Sequence, residues 1–149
     1  MILTLDASVA VKWHVASPDE RDSEQAILLL DAVLDGSLKL VEPPHALAEI
    51  AAVLSRVFHD DAKGRFDEIS RIFASGRTFL EESAYLRAIE ISRELDHHLF
   101  DTLYHATAIE SGGILVTADE RYFRKAEKLG GIVLLERISG TGSILQAMP

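Results

Sequence analysis

Short apolar runs recur along this chain with stretches of helical period between them, and no other feature limits its fold as strongly. The runs are Ile2–Leu5, Leu38–Val41, Ile114–Val116 and Ile132–Leu135, with Thr78-Phe79-Leu80 as a weaker fifth. Strands so short and apolar along their whole length are buried on both faces. Between them, apolar positions at Ala26, Leu29, Leu30 and Val33 predict a helix over about 22–34, and Leu47, Ile50, Ala51, Leu54, Val57 and Phe58 predict another over 45–58. Further helices are expected at about 64–75, 82–95, 99–110 and 119–129, the last stopped by Gly130-Gly131 in a left-handed C-cap. Strands that alternate with helices point to a parallel sheet covered on both faces. With 149 residues, 48% of them hydrophobic, the expectation is one α/β domain with a sizeable core. The segment "SGTGSILQAMP" at about 139–149 is the expected loose end.

Composition narrows the chemistry. There is no cysteine, so disulfides, thiol nucleophiles and thiolate metal sites are excluded, which suits a reducing cytoplasm. The opening Met1-Ile2-Leu3-Thr4-Leu5-Asp6 has no basic lead-in, and no apolar run approaches the ~20 residues of a membrane span. A soluble, unexported protein is expected. The formal charge of −9 argues against an unspecific polyanion binder, which needs clustered Lys and Arg, unless several acids are gathered around bound cations.

Ligands of open parallel sheets sit beyond the carboxyl ends of the strands, near the point where strand order reverses. Each acid is therefore judged by whether it stands at a strand's C-terminal end or on a helix that leans over one. Asp6 follows the first run at once; its plain alternative is that Asp6 or Ser8 caps the next helix. Asp119 follows the run at 114–116, where Thr117-Ala118-Asp119-Glu120 fits a capping box, with Thr117 as N-cap and Glu120 reaching back. That box leaves Asp119 free for another role. Glu49 lies among small apolar neighbours in "PPHALAEIAAVLSRVF", with no Lys or Arg three or four residues away. Asp101 opens the nearly all-apolar helix "DTLYHATAIE", where an unpaired acid is costly. If these four converge they need a cation, and oxygen donors without cysteine favour Mg2+ or Mn2+.

The segments "LDASVAVKW", "PPHALAEIAAVL", "LFDTLYHATA" and "LVTADERYFRKAEKLGGIVLL" together resemble the PIN domains, and within them the VapC toxins of bacterial toxin–antitoxin pairs. The resemblance covers nearly the whole chain, 1–149. It implies a three-layer α/β/α sandwich around a parallel sheet. It also implies a metal-dependent ribonuclease whose acidic pocket is formed by Asp6, Glu49, Asp101 and Asp119, with Thr117 helping to orient the site and Ser8 as a second supporting hydroxyl. A homodimer held inactive by a VapB-type antitoxin is the further expectation. Some relatives carry another acid where this chain has Tyr122, so the number of metal ions stays open.

Three features stand outside that set. Arg121, Arg124, Lys125 and Lys128 fall at i, i+3, i+4 and i+7 and are either RNA contacts or a solvated helix face. His97, His98 and His105 surround Asp101 and can be drawn as a zinc site, although no HExxH or Cys/His spacing is present. The rival classes are a phosphoaspartate receiver, which expects paired acids and a later Lys, and a PIN-like binding module without catalysis.

Overall fold

The apolar runs become five strands in the computed structural model, which describes residues 1–14 and 22–140. They are β1 (Ile2–Leu5), β2 (Lys39–Glu42), β3 (Arg77–Thr78), β4 (Ile114–Thr117) and β5 (Ile132–Leu134). The helices between them are α1 (Ala7–Ala10), α2 (Ser23–Leu34), α3 (Ala46–Val57), α4 (Ala62–Ala74), α5 (Glu82–Leu95), α6 (Leu99–Glu110) and α7 (Glu120–Ala126). All neighbouring strands pair in parallel, in the order β3-β2-β1-β4-β5. Of the expected loose end at 139–149, residues 141–149 lie outside the described residues.

Period-two alternation sends neighbouring side chains to opposite faces, so one strand feeds two cores. Leu40 packs into the larger core, with Leu3, Leu29, Ile50 and Leu54, while Val41 joins a smaller one with Phe79, Ala88, Ile91 and Leu103 of the α5–α6 layer. Helices therefore cover both faces, and the architecture is α/β/α. The chain builds outward from β1 through β2 to β3, then crosses back to place β4 on the other side of β1. Strand order reverses between β1 and β4. Receiver domains of the doubly wound class order their strands 2-1-3-4-5 instead.

Several boundaries differ from the sequence expectation by a residue or more, and two of the differences have a plain physical reason. Leu38 is not the first residue of β2, because its N–H closes the end of α2 on Ala32 O at 2.9 Å. The weak run expected at 78–80 forms β3, which occupies Arg77–Thr78. Phe79 still donates to Glu42 O, but its ring turns into the smaller core while Leu80 swings out to 70% exposure.

Gly113 lies at the start of β4, where a Cβ would stand 2.5 Å from Ile2 Cγ2 and 2.9 Å from Ile2 O. Gly113→Ala is expected to lower the urea midpoint by an overpacking cost of about 1–3 kcal/mol. Gly64, inside α4, meets only the Asp61 carboxylate at 3.3 Å. Gly64→Ala is expected to be neutral or to stabilise by roughly 0.5–1 kcal/mol in the same titration.

Candidate functional site

The ends of β1 and β4, on either side of the reversal, are laced together by side chains. Asp6 still takes part in the sheet through its N–H, which donates to Val116 O at 3.0 Å. Its side chain caps α1: Oδ1 accepts from Ser8 N at 3.0 Å, and Oδ2 accepts from the Thr117 hydroxyl at 2.7 Å. Thr117 Oγ1 in turn accepts from Asp119 N at 3.0 Å, and Ser8 Oγ accepts from Ala118 N at 3.3 Å. The Asp6 carboxylate is thus held by donors from both strand ends.

The capping box expected at 117–120 does not form. Thr117 is the last residue of β4 and spends its hydroxyl on Asp6, and the Glu120 carboxylate pairs with Arg124 at 2.9 Å. Asp119 is itself the N-cap of α7, its Oδ1 accepting from Arg121 N at 2.8 Å and Tyr122 N at 3.0 Å.

Glu49 and Asp101 reach the site from the first turns of α3 and α6, each with an imidazole four residues earlier. His97 Nε2 stands 2.9 Å from Asp101 Oδ2 without the angles of a hydrogen bond, and His45 Nε2 stands 3.8 Å from Glu49 Oε2. Asp6, Glu49 and Asp101 line one cleft of about 580 Å³, together with Ser8, Lys12 and Arg56. Asp119 does not line it and is connected to it only through Thr117. Three of the four acids are brought together, and the fourth supports the clamp.

Carboxyl groups dominate the electrostatics around Asp6 and Glu49. Burial pushes the Asp6 carboxyl up, opposed by the Thr117 and Ser8 hydrogen bonds and reinforced by Asp101. Burial also raises Glu49, with the Tyr104 hydroxyl working against it and Asp6 and Asp101 adding to it. Beneath them lies Glu42, at the end of β2, which the sequence reading missed. It is fully buried, its Oε1 accepts from Leu5 N at 2.9 Å, and burial, with help from Asp6, pushes it well above the carboxylate range. Tyr104, pushed far up by burial and then by the surrounding carboxylates, turns towards Glu49 without closing a hydrogen bond of ordinary geometry.

These residues fit a hard divalent cation in their chemistry: every donor is oxygen, and mutual repulsion among the carboxylates is what a cation would relieve. Among the described residues, no three His, Asp or Glu side chains form a ready-made ion cage. That is the arrangement Mg2+ tolerates, since it binds through one or two carboxylates and keeps several waters.

The remaining expectations divide. His105 cannot serve a zinc site, because Nδ1 meets the Tyr122 hydroxyl at 3.0 Å and Nε2 meets Gly130 O at 2.8 Å. Both ring nitrogens are used. Of the basic stripe, Lys125 donates to Leu95 O at 3.0 Å and Asp96 O at 2.8 Å, closing the end of α5, and Arg124 is paired with Glu120. Arg121 lines a separate cleft of about 360 Å³ with Asp96, His97 and His98, and Lys128 is exposed. Among the described residues no helix is long and apolar enough to cross a membrane.

Comparison with known proteins agrees with the fold. The sequence model of the PIN domain matches residues 3–129. Among solved structures, VapBC2 from Rickettsia felis bound to a DNA fragment from their promoter matches with TM-score 0.63 and 17% identity, over 90% of this chain and 97% of that one. FitAcB from Neisseria gonorrhoeae matches with TM-score 0.62 and 20% identity, over 90% of this chain and 96% of that one. VapBC-1 from nontypeable Haemophilus influenzae matches with TM-score 0.64 and 14% identity, over 91% and 98%. At these identities the likeness is one of fold. No curated protein matches the chain.

The raised carboxyl at Asp6 has a signed consequence for stability. Below its unfolded-state pKa the group is neutral in both states and costs nothing; as pH rises through the raised folded value, the folded protein must hold a disfavoured charge. In EDTA, Asp6→Asn is therefore expected to raise the melting temperature at pH 8, by roughly 2–4 °C for each ~1 kcal/mol relieved. The gain should shrink as pH falls towards the unfolded carboxyl value of about 4. A lower melting temperature for the variant at pH 8 would show that the carboxylate is not under repulsion.

Proposed function

The chain belongs to the PIN-domain family, and from that premise we propose that it is a metal-dependent endoribonuclease, the toxin of a VapBC-type toxin–antitoxin pair. The observation that carries this reading is the convergence of Asp6, Glu49 and Asp101 on one cleft at the reversal of strand order. A divalent cation bound there, Mg2+ or Mn2+, supplies charge that keeps the carboxylates ionised and makes a water acidic enough to attack a phosphodiester.

The chain's own residues position everything else. Ser8 N and Thr117 Oγ1 fix the two oxygens of Asp6, so its orientation is set before any ligand arrives. His97 restrains Asp101, and His45 lies beside Glu49; burial lowers the His45 imidazole, which therefore adds little positive charge of its own at neutral pH. Asp119, through Thr117, extends the clamp. In the hydrolysis, water adds to phosphorus, the bond to the 3′ oxygen breaks, and that oxygen takes up a proton as the water loses one. The products are 5′-phosphate and 3′-hydroxyl ends.

The proposal extends to partners: RNA as substrate, a VapB-type antitoxin as inhibitor, and a second copy of the chain. Leu86 and Ile89, one turn apart on α5, are 55% and 46% exposed, apolar surface of the kind a homodimer would cover. The receiver alternative gains no support from the strand order.

The purified protein is expected to cut single-stranded RNA in Mg2+ or Mn2+ and to stop in EDTA. Asp6→Asn or Asp101→Asn should cost at least 10²–10³-fold in rate, on the order of losing one preorganised electrostatic group. Thr117→Val, which touches only the clamp, should cost roughly 10–100-fold. Circular dichroism should show each variant folded; full activity in EDTA, or in either acid variant, would sink the reading.

A further inference from the structure

We infer that Arg56 and Lys12 are the side chains that hold the phosphates of the substrate strand where it enters the acid cleft, an inference that rests on the nuclease reading above. A chain of net charge −9 repels a polyanion at long range, so an RNA strand can be held only by cations placed locally. The stripe on α7 is poorly suited to this. Lys125 is fastened to two backbone carbonyls, Arg124 is paired with Glu120, and neither lines the cleft that contains Asp6, Glu49 and Asp101. Arg56 and Lys12 do line it.

Their placement follows from the elements that carry them. Arg56 lies seven residues after Glu49 on α3, which puts it on the same helical face about 10 Å further along. Its Nε donates to Ala52 O at 3.2 Å, which fixes the stem against the helix while the side chain stays exposed. Between Glu49 and Arg56 the cleft wall consists, among the described residues, of Ala52 and Val53, with Val57 just beyond. Small apolar side chains there accept sugar and base without sequence preference. Lys12 enters from the short turn Val11–Trp13 that follows α1. Arg56 offers a planar fork matched to phosphate oxygens and Lys12 a point charge. Both cations line the same cleft as the acids to which a strand must bring its phosphodiester.

The test uses the full chain carrying Asp6→Asn, so that RNA is bound but not cut, with Mg2+ and a labelled single-stranded oligoribonucleotide of mixed sequence. Each phosphate contact on a single strand contributes about 0.7 to the slope of log affinity against log salt. Adding Arg56→Gln or Lys12→Gln is expected to flatten that slope by about 0.7 and to weaken binding about five-fold at 0.1 M salt. Arg71→Gln, which removes an equal charge from the exposed Arg71–Asp67 pair on α4, is expected to change neither. In the otherwise unaltered chain, Arg56→Gln should raise KM and leave kcat nearly unchanged. Unchanged slope and affinity in both the Arg56 and Lys12 variants would overturn the inference while leaving the nuclease reading standing. Failure of the unaltered chain to cut RNA, together with absence of binding by its Asp6→Asn form, would overturn the nuclease reading itself.

Discussion

The hydrogen bond from Thr117 to Asp6 is the contact on which the rest of the site depends. It joins residues 111 positions apart, and it does so because β4 returns to pair with β1 after two strands have been laid on the other side. A parallel sheet leaves the carboxyl ends of its strands without partners above them, and at the reversal no crossover helix fills the gap. Asp6 and Thr117 meet in that gap. Once Ser8 N has taken the other carboxylate oxygen, Asp6 has little rotational freedom left, and the helices bearing Glu49 and Asp101 complete a site whose first member is already oriented.

Orientation has an electrostatic cost. Asp6 is half-buried beside two other acids, and a third carboxyl, Glu42, is sealed beneath it. The fold limits that cost by disfavouring the ionisation of one of them. Glu42 uses one oxygen to accept from Leu5 N, which anchors the residue just before Asp6, and burial raises its carboxyl, which disfavours a fourth negative charge beneath the site. Tyr104 stays neutral among the carboxylates. The carboxyls of Asp6, Glu49 and Asp101 line the cleft, where a cation can answer their repulsion.

Much of this was legible in the sequence, and the failures share a cause. Apolar runs and helical periodicity placed all five strands and the helices that carry the acids, because buried parallel strands and amphipathic helices leave strong one-dimensional patterns. Asp6, Glu49 and Asp101 were singled out by position and by lack of local partners, and they do share a cleft. The capping box at 117–120 was misread because a local motif was weighed without knowing that Thr117 faces β1 across the reversal. Glu42 was overlooked although it too ends a strand; starting β2 one residue early hid it among the loop residues before Pro43. His45 and His97, each four residues before a site acid, were signals of i,i+4 contact available from spacing alone.

The stripe of basic residues on α7 shows where periodicity stops being informative. Spacing says that Arg121, Arg124, Lys125 and Lys128 share a face, but whether a face is free depends on what packs beside it, and here the end of α5 takes Lys125. Arg56 drew no attention in the sequence because it is isolated, yet it shares a helical face with Glu49 and a cleft with all three acids. In a protein of net negative charge, a single cation beside the site outweighs several arranged elsewhere, since screening confines its influence to about 10 Å at ordinary salt. The relevant pattern is therefore the distance of each cation from the carboxylates, which the fold determines and composition does not.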